Sequence, residues 1–144
     1  MRMLEQERAL FAWEQVSSVR KGNAKVAKDV AMYIKGMPAM VLANGLGQTL
    51  AFLLQKAGGN QTDPEYIVYD ILAKWIMDRR KIYEGPRAHL MKKLIEGDRY
   101  LYQQSQEEIW ALLVWLKKFS DAYLSAVEDQ GGDKEQPYGK EGRS

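Results

Sequence analysis

Residues 44–52 read NGLGQTLAF and sit inside twenty consecutive uncharged positions running from 36 to 55. Two glycines one residue apart allow three readings: a phosphate cradle, a helix break, or a close contact between two helices; the uncharged run around them also raises a membrane span. A dinucleotide-binding turn needs a third glycine three residues on, after a strand and opening a helix. Leu50 stands there, and no strand precedes it. A P-loop needs Gly-Lys-Ser/Thr, which is absent. About 20 apolar residues would span a bilayer, yet Pro38, Asn44, Gln48 and Thr49 interrupt this run. Unpartnered amides at a bilayer centre cost on the order of several kcal/mol, so no membrane span is expected.

Packing remains. Ala39, Ala43, Gly47 and Ala51 recur every four residues, with Leu42, Leu46, Leu50 and Leu54 on the next row. Small residues let a neighbouring helix approach, which predicts a central helix covered on several sides. Asn44 and Gln48 would then require hydrogen-bond partners. Gly45 and Gly47 each cost about 1 kcal/mol of helix propensity relative to alanine, and close contact is the expected compensation.

Working outward, the rhythm is helical nearly throughout. Leu4, Phe11, Val16 and Val19 mark a first helix over about 3–20, and Asn23 caps a second that runs to Lys35. Pro38 suits the first turn of a third helix, ending near Gly58 and Gly59. Asp63 and Pro64 open a fourth, with Thr62 and Glu65 as a competing capping box; it buries Ile67, Val68, Ile71, Leu72, Trp75 and Ile76 before EGP at 84–86. A short helix covers about 88–95, and a tyrosine-rich turn follows Gly97 and Asp98. Ser105 with Glu108 then forms a capping box for the last helix, striped by Ile109, Leu112, Leu113, Leu116, Phe119, Tyr123 and Val127, to about Glu128. The fold class is all-α: a compact bundle of five to six helices in a single domain over 1–128, with a disordered polar tail over 129–144.

The chain's 144 residues suffice for one domain with a real core, and 46% hydrophobic with 28% charged is ordinary globular composition. With no cysteine there are no disulfides, thiolate nucleophiles or cysteine-ligated zinc, which fits a reducing cytoplasm. Charges within the first eight residues argue against a secretory signal. The net charge of +2 is unevenly spread: +4 over 1–60, +1 over 61–97, −2 over 98–128 and −1 beyond. A basic first half could meet a polyanion.

Parts for catalysis are scarce. His89 is the single histidine, so a metal site would need carboxylates alone, and neither catalytic nor metal-binding residues are assigned. No cofactor is expected. Asp70, Lys74 and Asp78 read as exposed helix pairs, and Glu107 and Glu108 as favourable charge at a helix start.

The lysines are more informative. Lys25, Lys28 and Lys35 fall on one arc of the second helix, opposite Val26, Val30 and Ile34, and Lys21 joins them if the helix extends back through Gly22. This is either a solvated face or a phosphate-contacting ridge, with Asp29 as the acid nearby. Arg79, Arg80, Lys117 and Lys118 are secondary RNA-binding candidates. Tyr33, Tyr100 and Tyr102 could stack on bases but more often such tyrosines cover core edges. Trp110 and Val114 widen the apolar surface of the last helix and are read as core ahead of a subunit interface.

MPAMVLANGLGQTLAFLLQK at 37–56 resembles the most recognisable helix of the small all-helical subunit of type III-B (Cmr) CRISPR RNA-guided complexes. WALLVWLKKFSDAYL at 110–124 is similar to that family's closing helix, and ILAKWI at 71–76 and the tyrosine segment lie in the expected order. The resemblance spans roughly residues 5–127. It implies a non-catalytic cytoplasmic subunit that stacks along the complex in antiviral defence. Its partners would be target RNA and guide RNA, through phosphate contacts, with further copies of itself, the backbone subunits and the large subunit. The free protein is expected to be a monomer. The competing readings are a purely structural adaptor without RNA contacts and a carboxylate- and metal-dependent nuclease.

Overall fold

α1 (Leu4–Arg20) ends at a short turn, and Asn23 accepts a hydrogen bond from the Val26 amide at 3.0 Å to open α2 (Ala24–Ala57). α3 (Pro64–Ala73) runs on into a π-helical turn over Lys74–Arg79. A 3-10 turn over Arg87–His89 precedes α4 (Leu90–Glu96), and α5 (Arg99–Tyr123) closes the bundle. This computed structural model describes residues 1–125, among which there are five α-helices and no strand. The expected polar tail, Val127 and the predicted helix end at Glu128 lie outside them.

α2 packs along α3 on one side and α5 on another, while α1 lies along α5. Phe11 and Val16 of α1, Ile34, Leu46, Leu50 and Leu53 of α2, Val68 and Leu72 of α3, and Ile109, Leu112, Leu113 and Leu116 of α5 fill one core. Burying each such side chain contributes roughly 1.5–3 kcal/mol.

Three sequence expectations are corrected here. The predicted second and third helices are one element, and Pro38 lies inside it. The interruption falls instead at Gly45, with φ 84° and ψ 165°, a conformation that is essentially reserved for glycine. After it the helix restarts with amides that lack intrahelical acceptors. α5 supplies them: Gln106 Oε1 accepts from the Leu46 amide at 2.9 Å and the Tyr102 hydroxyl oxygen accepts from the Gly47 amide at 2.7 Å. The buried Thr49 hydroxyl donates to the Gly45 carbonyl at 2.8 Å. A Cβ on Gly47 would stand 3.0 Å from the Tyr102 hydroxyl, so close contact does explain that glycine.

Second, the uncharged helix is not sealed. Ala39, Ala43, Ala51, Asn44 and Gln48 are not buried, Leu42 is 78% exposed, and only 33% of the most apolar window is buried. By length and composition α2 could cross a membrane. The kink and its hydrogen bonds to α5 fit it instead as the central strut of the bundle.

Third, Ser105 caps nothing. The cap of α5 lies seven residues earlier, where Asp98 accepts from the Leu101 amide at 2.8 Å, and the tyrosine segment is helical. Ser105 and Glu108 are therefore interior and buried. Glu108 accepts from Arg8 Nη2 at 2.9 Å and Nε at 3.3 Å and from the Trp75 indole at 3.0 Å, with Arg80 Nε at 3.8 Å. Burial would raise its pKa, but the hydrogen bonds from Arg8 and Trp75, with the charges of Arg8 and Arg80, prevail and hold it below 4.5. The network ties α1, the π-helical turn and α5 together.

Candidate nucleic-acid interface

The arc on α2 starts from one cap. Because Asn23 stops the helix from extending backward, Lys21 belongs to the C-terminus of α1, across the turn from Lys25 and Lys28. Lys21, Lys25, Lys28 and Lys35 are all exposed. Lys25 Nζ lies 3.4 Å from Asp29 Oδ2, but the lysine side chain is 83% exposed. A pair so open to water holds its partners weakly and can exchange for a phosphate. Lys117 and Lys118 are exposed on α5.

Arg79 and Arg80 are placed differently. Arg79 lies over the Phe11 ring at 5.0 Å and reaches Glu14 at 3.4 Å, while Arg80 points toward Glu108. Both are engaged in joining α1 and α5 to the π-helical turn. Asp70, Lys74 and Asp78 are likewise not the helix pairs that their spacing suggested. Lys74 donates to Gln15 at 3.0 Å, and Asp70 and Asp78 flank Arg87 at 3.4 and 3.6 Å. They line an open cleft of about 1040 Å³ between the α1–α2 turn and α3. Among the described residues, no three histidine, aspartate or glutamate side chains gather where they could hold a metal ion.

Of the three tyrosines weighed for stacking, two are occupied. Tyr33 donates to Glu65 at 2.6 Å, a hydrogen bond that, with burial and the carboxylate charge, pushes the phenol up to about 12. Tyr102 serves Gly47, and Tyr100 alone of the three is exposed. A second aromatic surface is formed by the exposed Trp13 and the half-buried Tyr123, with the cation Arg20 beside them. Trp13 stood off the α1 stripe, and Tyr123 was absorbed into the α5 stripe. The signal available was the spacing of Trp13, Ser17 and Arg20 along one face.

Trp110 and Val114 are exposed, contrary to their reading as core. Trp110 and Leu42 border a shallow groove of about 280 Å³ between α2 and α5.

These features describe an all-helical bundle with exposed lysines at the start of α2 and a separate apolar margin. Residues 4–123 match the family described as CRISPR-associated protein (Cas_Cmr5), and the chain belongs to that family. It is thus a small subunit of the type III-B Cmr effector complex, in a family of structural subunits that is not known as catalytic. The fold is similar to an X-ray crystal structure of a CRISPR-associated Cmr5 family protein from Thermus thermophilus. The TM-score is 0.67 at 22% identity, covering 86% of this chain and 99% of that one.

Proposed function

We propose that this chain is a non-catalytic subunit that holds target RNA and its guide duplex by sequence-independent phosphate contacts while stacking along the effector complex, in cytoplasmic antiviral defence. The observation that carries the reading is the exposed arc of Lys25, Lys28 and Lys35, with Lys21 across the turn and Asp29 nearby. Lys117 and Lys118 add exposed cations on α5; Arg79 and Arg80 are largely neutralised by Glu14 and Glu108 and are secondary to the lysines. Few charges act per copy, so one subunit binds weakly and stacked copies gain by avidity.

Charge reversal at Lys25 and Lys28 tests this in the reconstituted complex. Target capture should fall about tenfold or more at low salt. The slope of log affinity against log salt should shrink by about 1.4, at about 0.7 per lost phosphate contact on a single strand. Circular dichroism should be unchanged, because both side chains are exposed. Unaltered capture and slope would remove the ridge from the account.

A second reading, assembly without RNA contact, is favoured by Leu42, Trp110 and Val114 standing exposed on α2 and α5. Leu42→Glu should change the stability of the free protein by no more than about 0.5 kcal/mol. Incorporation into the complex, read by size-exclusion chromatography of co-expressed subunits, should drop sharply. If this variant assembles normally, that margin is not the docking face.

A further inference from the structure

We propose that the surface between α1 and α5 at Trp13 and Tyr123 is a nucleobase site, which takes one unpaired base of an RNA strand whose phosphates lie on Arg20 and Lys21. The inference rests on the RNA reading above and adds a contact that no lysine can make. Trp13 is 42% exposed, large for an indole on a monomer surface. Its ring stands at 88° to Tyr123 with centroids 5.0 Å apart, and at 81° to Phe119 at 5.7 Å. Two edge-to-face contacts fix the indole, so little freedom remains to be lost when a ring stacks on it.

Trp13, Ser17, Arg20, Lys21 and Tyr123 line a depression of about 370 Å³. That is near the lower end of small-molecule sites, roughly 300–1,000 Å³, and suits one base with its ribose. The Arg20 guanidinium carbon lies 6.0 Å from the Tyr123 centroid, so a cation already sits at the rim. An aromatic platform bordered by cations is the arrangement that holds single strands: the ring takes a base and the charges take the backbone.

Neighbouring carboxylates do not spoil it. Glu14 is directed to Arg79 at 3.4 Å. Asp121 is about 200° round the helix from both Phe119 and Tyr123. The site also continues into the lysine arc, since Lys21 ends α1 and Lys25 lies in the first turn of α2. That continuity favours a polyanion over a partner peptide.

The test uses the full chain carrying 5-fluorotryptophan, with the signals of its four tryptophans assigned by single Trp→Phe variants. Short single-stranded oligoadenylate is titrated beside an abasic ribose-phosphate oligomer of equal length, with the isolated protein and with the reconstituted complex. The Trp13 resonance should move with the adenylate and stay still with the abasic strand. Trp13→Leu keeps apolar cover without a π face; it should weaken adenylate binding at least about fivefold and leave abasic binding unchanged. The other three fluorine signals report that the variant folds. Equal binding of both oligomers with an unmoved Trp13 signal overturns the base site and leaves the lysine reading standing. Failure of both oligomers to bind overturns the two together. A Trp13 signal that responds to partner subunits alone, and no longer to RNA, assigns the surface to protein and overturns the proposal.

Discussion

Glu108→Ala should lower the stability of the protein by about 3 kcal/mol, because it leaves Arg80 without its carboxylate and Arg8 with only the exposed Glu5, 3.1 Å away, at the edge of the core. For a domain of this size that is on the order of 10 °C in Tm. The same change strands the Trp75 indole N–H, which donates to Glu108 at 3.0 Å. Glu108→Gln keeps an acceptor for the indole and should recover about 1–2 kcal/mol of the loss.

The network also fixes a pH dependence. Glu108 has a folded pKa depressed below its ordinary 4.5, against the upward push of burial, by Arg8, Trp75 and Arg80. A depressed carboxylate stabilises the native state fully above its unfolded pKa, and that contribution is lost as pH falls through the folded value. Wild type should therefore lose stability below about pH 4.5 more steeply than Glu108→Gln. Urea midpoints across the acid range measure this, and parallel curves would show that the carboxylate is not held as described.

Gly45→Ala and Gly47→Ala should both destabilise, by different mechanisms that one further substitution separates. At Gly45 the obstacle is the backbone: φ is 84° with ψ 165°, while an added Cβ would meet only ordinary contacts at 3.6 and 3.7 Å. Holding alanine there costs on the order of 1–3 kcal/mol. At Gly47 the obstacle is the Tyr102 hydroxyl, 3.0 Å from an added Cβ. Tyr102→Phe removes that atom together with the hydrogen bond to the Gly47 amide, and alone should cost about 1–2 kcal/mol. In a Gly47→Ala background it should cost far less, a non-additive pair; with Gly45→Ala, whose cost lies in its own dihedral angles, no such rescue is expected. Urea denaturation of the double variants decides it. Equal coupling to both glycines would contradict the helix restart at Gly45.

Periodicity made the all-helical fold legible, since the faces of α3 with its continuation and of α5 repeat at about 100° per residue and bury Val68, Ile71, Leu72, Trp75, Ile76, Ile109, Leu112, Leu113 and Leu116, with Ile67, Phe119 and Tyr123 half-buried at their edges. It also placed the starts at Asn23 and Pro64, where local chemistry decides the cap. Pro38 misled because packing along α3 and α5 outweighs a propensity penalty of about 3 kcal/mol. A helix break was one of the readings that Gly45 and Gly47 allowed, but the choice between it and packing was not legible, because the acceptors for the Leu46 and Gly47 amides are 60 and 55 residues away. Glu108 was misread for a related reason: Ser-x-x-Glu is a local signal, whereas its partners lie on α1 and the π-helical turn. The lysines could be found because an exposed face follows from spacing alone. Of the aromatic pair, spacing marked only the Trp13 side; its meeting with Tyr123 was not legible, because the two helices lie more than a hundred positions apart.

Photo-crosslinking of a 4-thiouridine target RNA to the reconstituted effector complex, with the crosslinked peptides identified by mass spectrometry, tests most directly whether the N-terminal half of α2 meets RNA. The account predicts that the crosslinks within this subunit concentrate on the peptides carrying Lys21, Lys25, Lys28 and Lys35. A complex saturated with target whose crosslinks leave those peptides unmarked would contradict it.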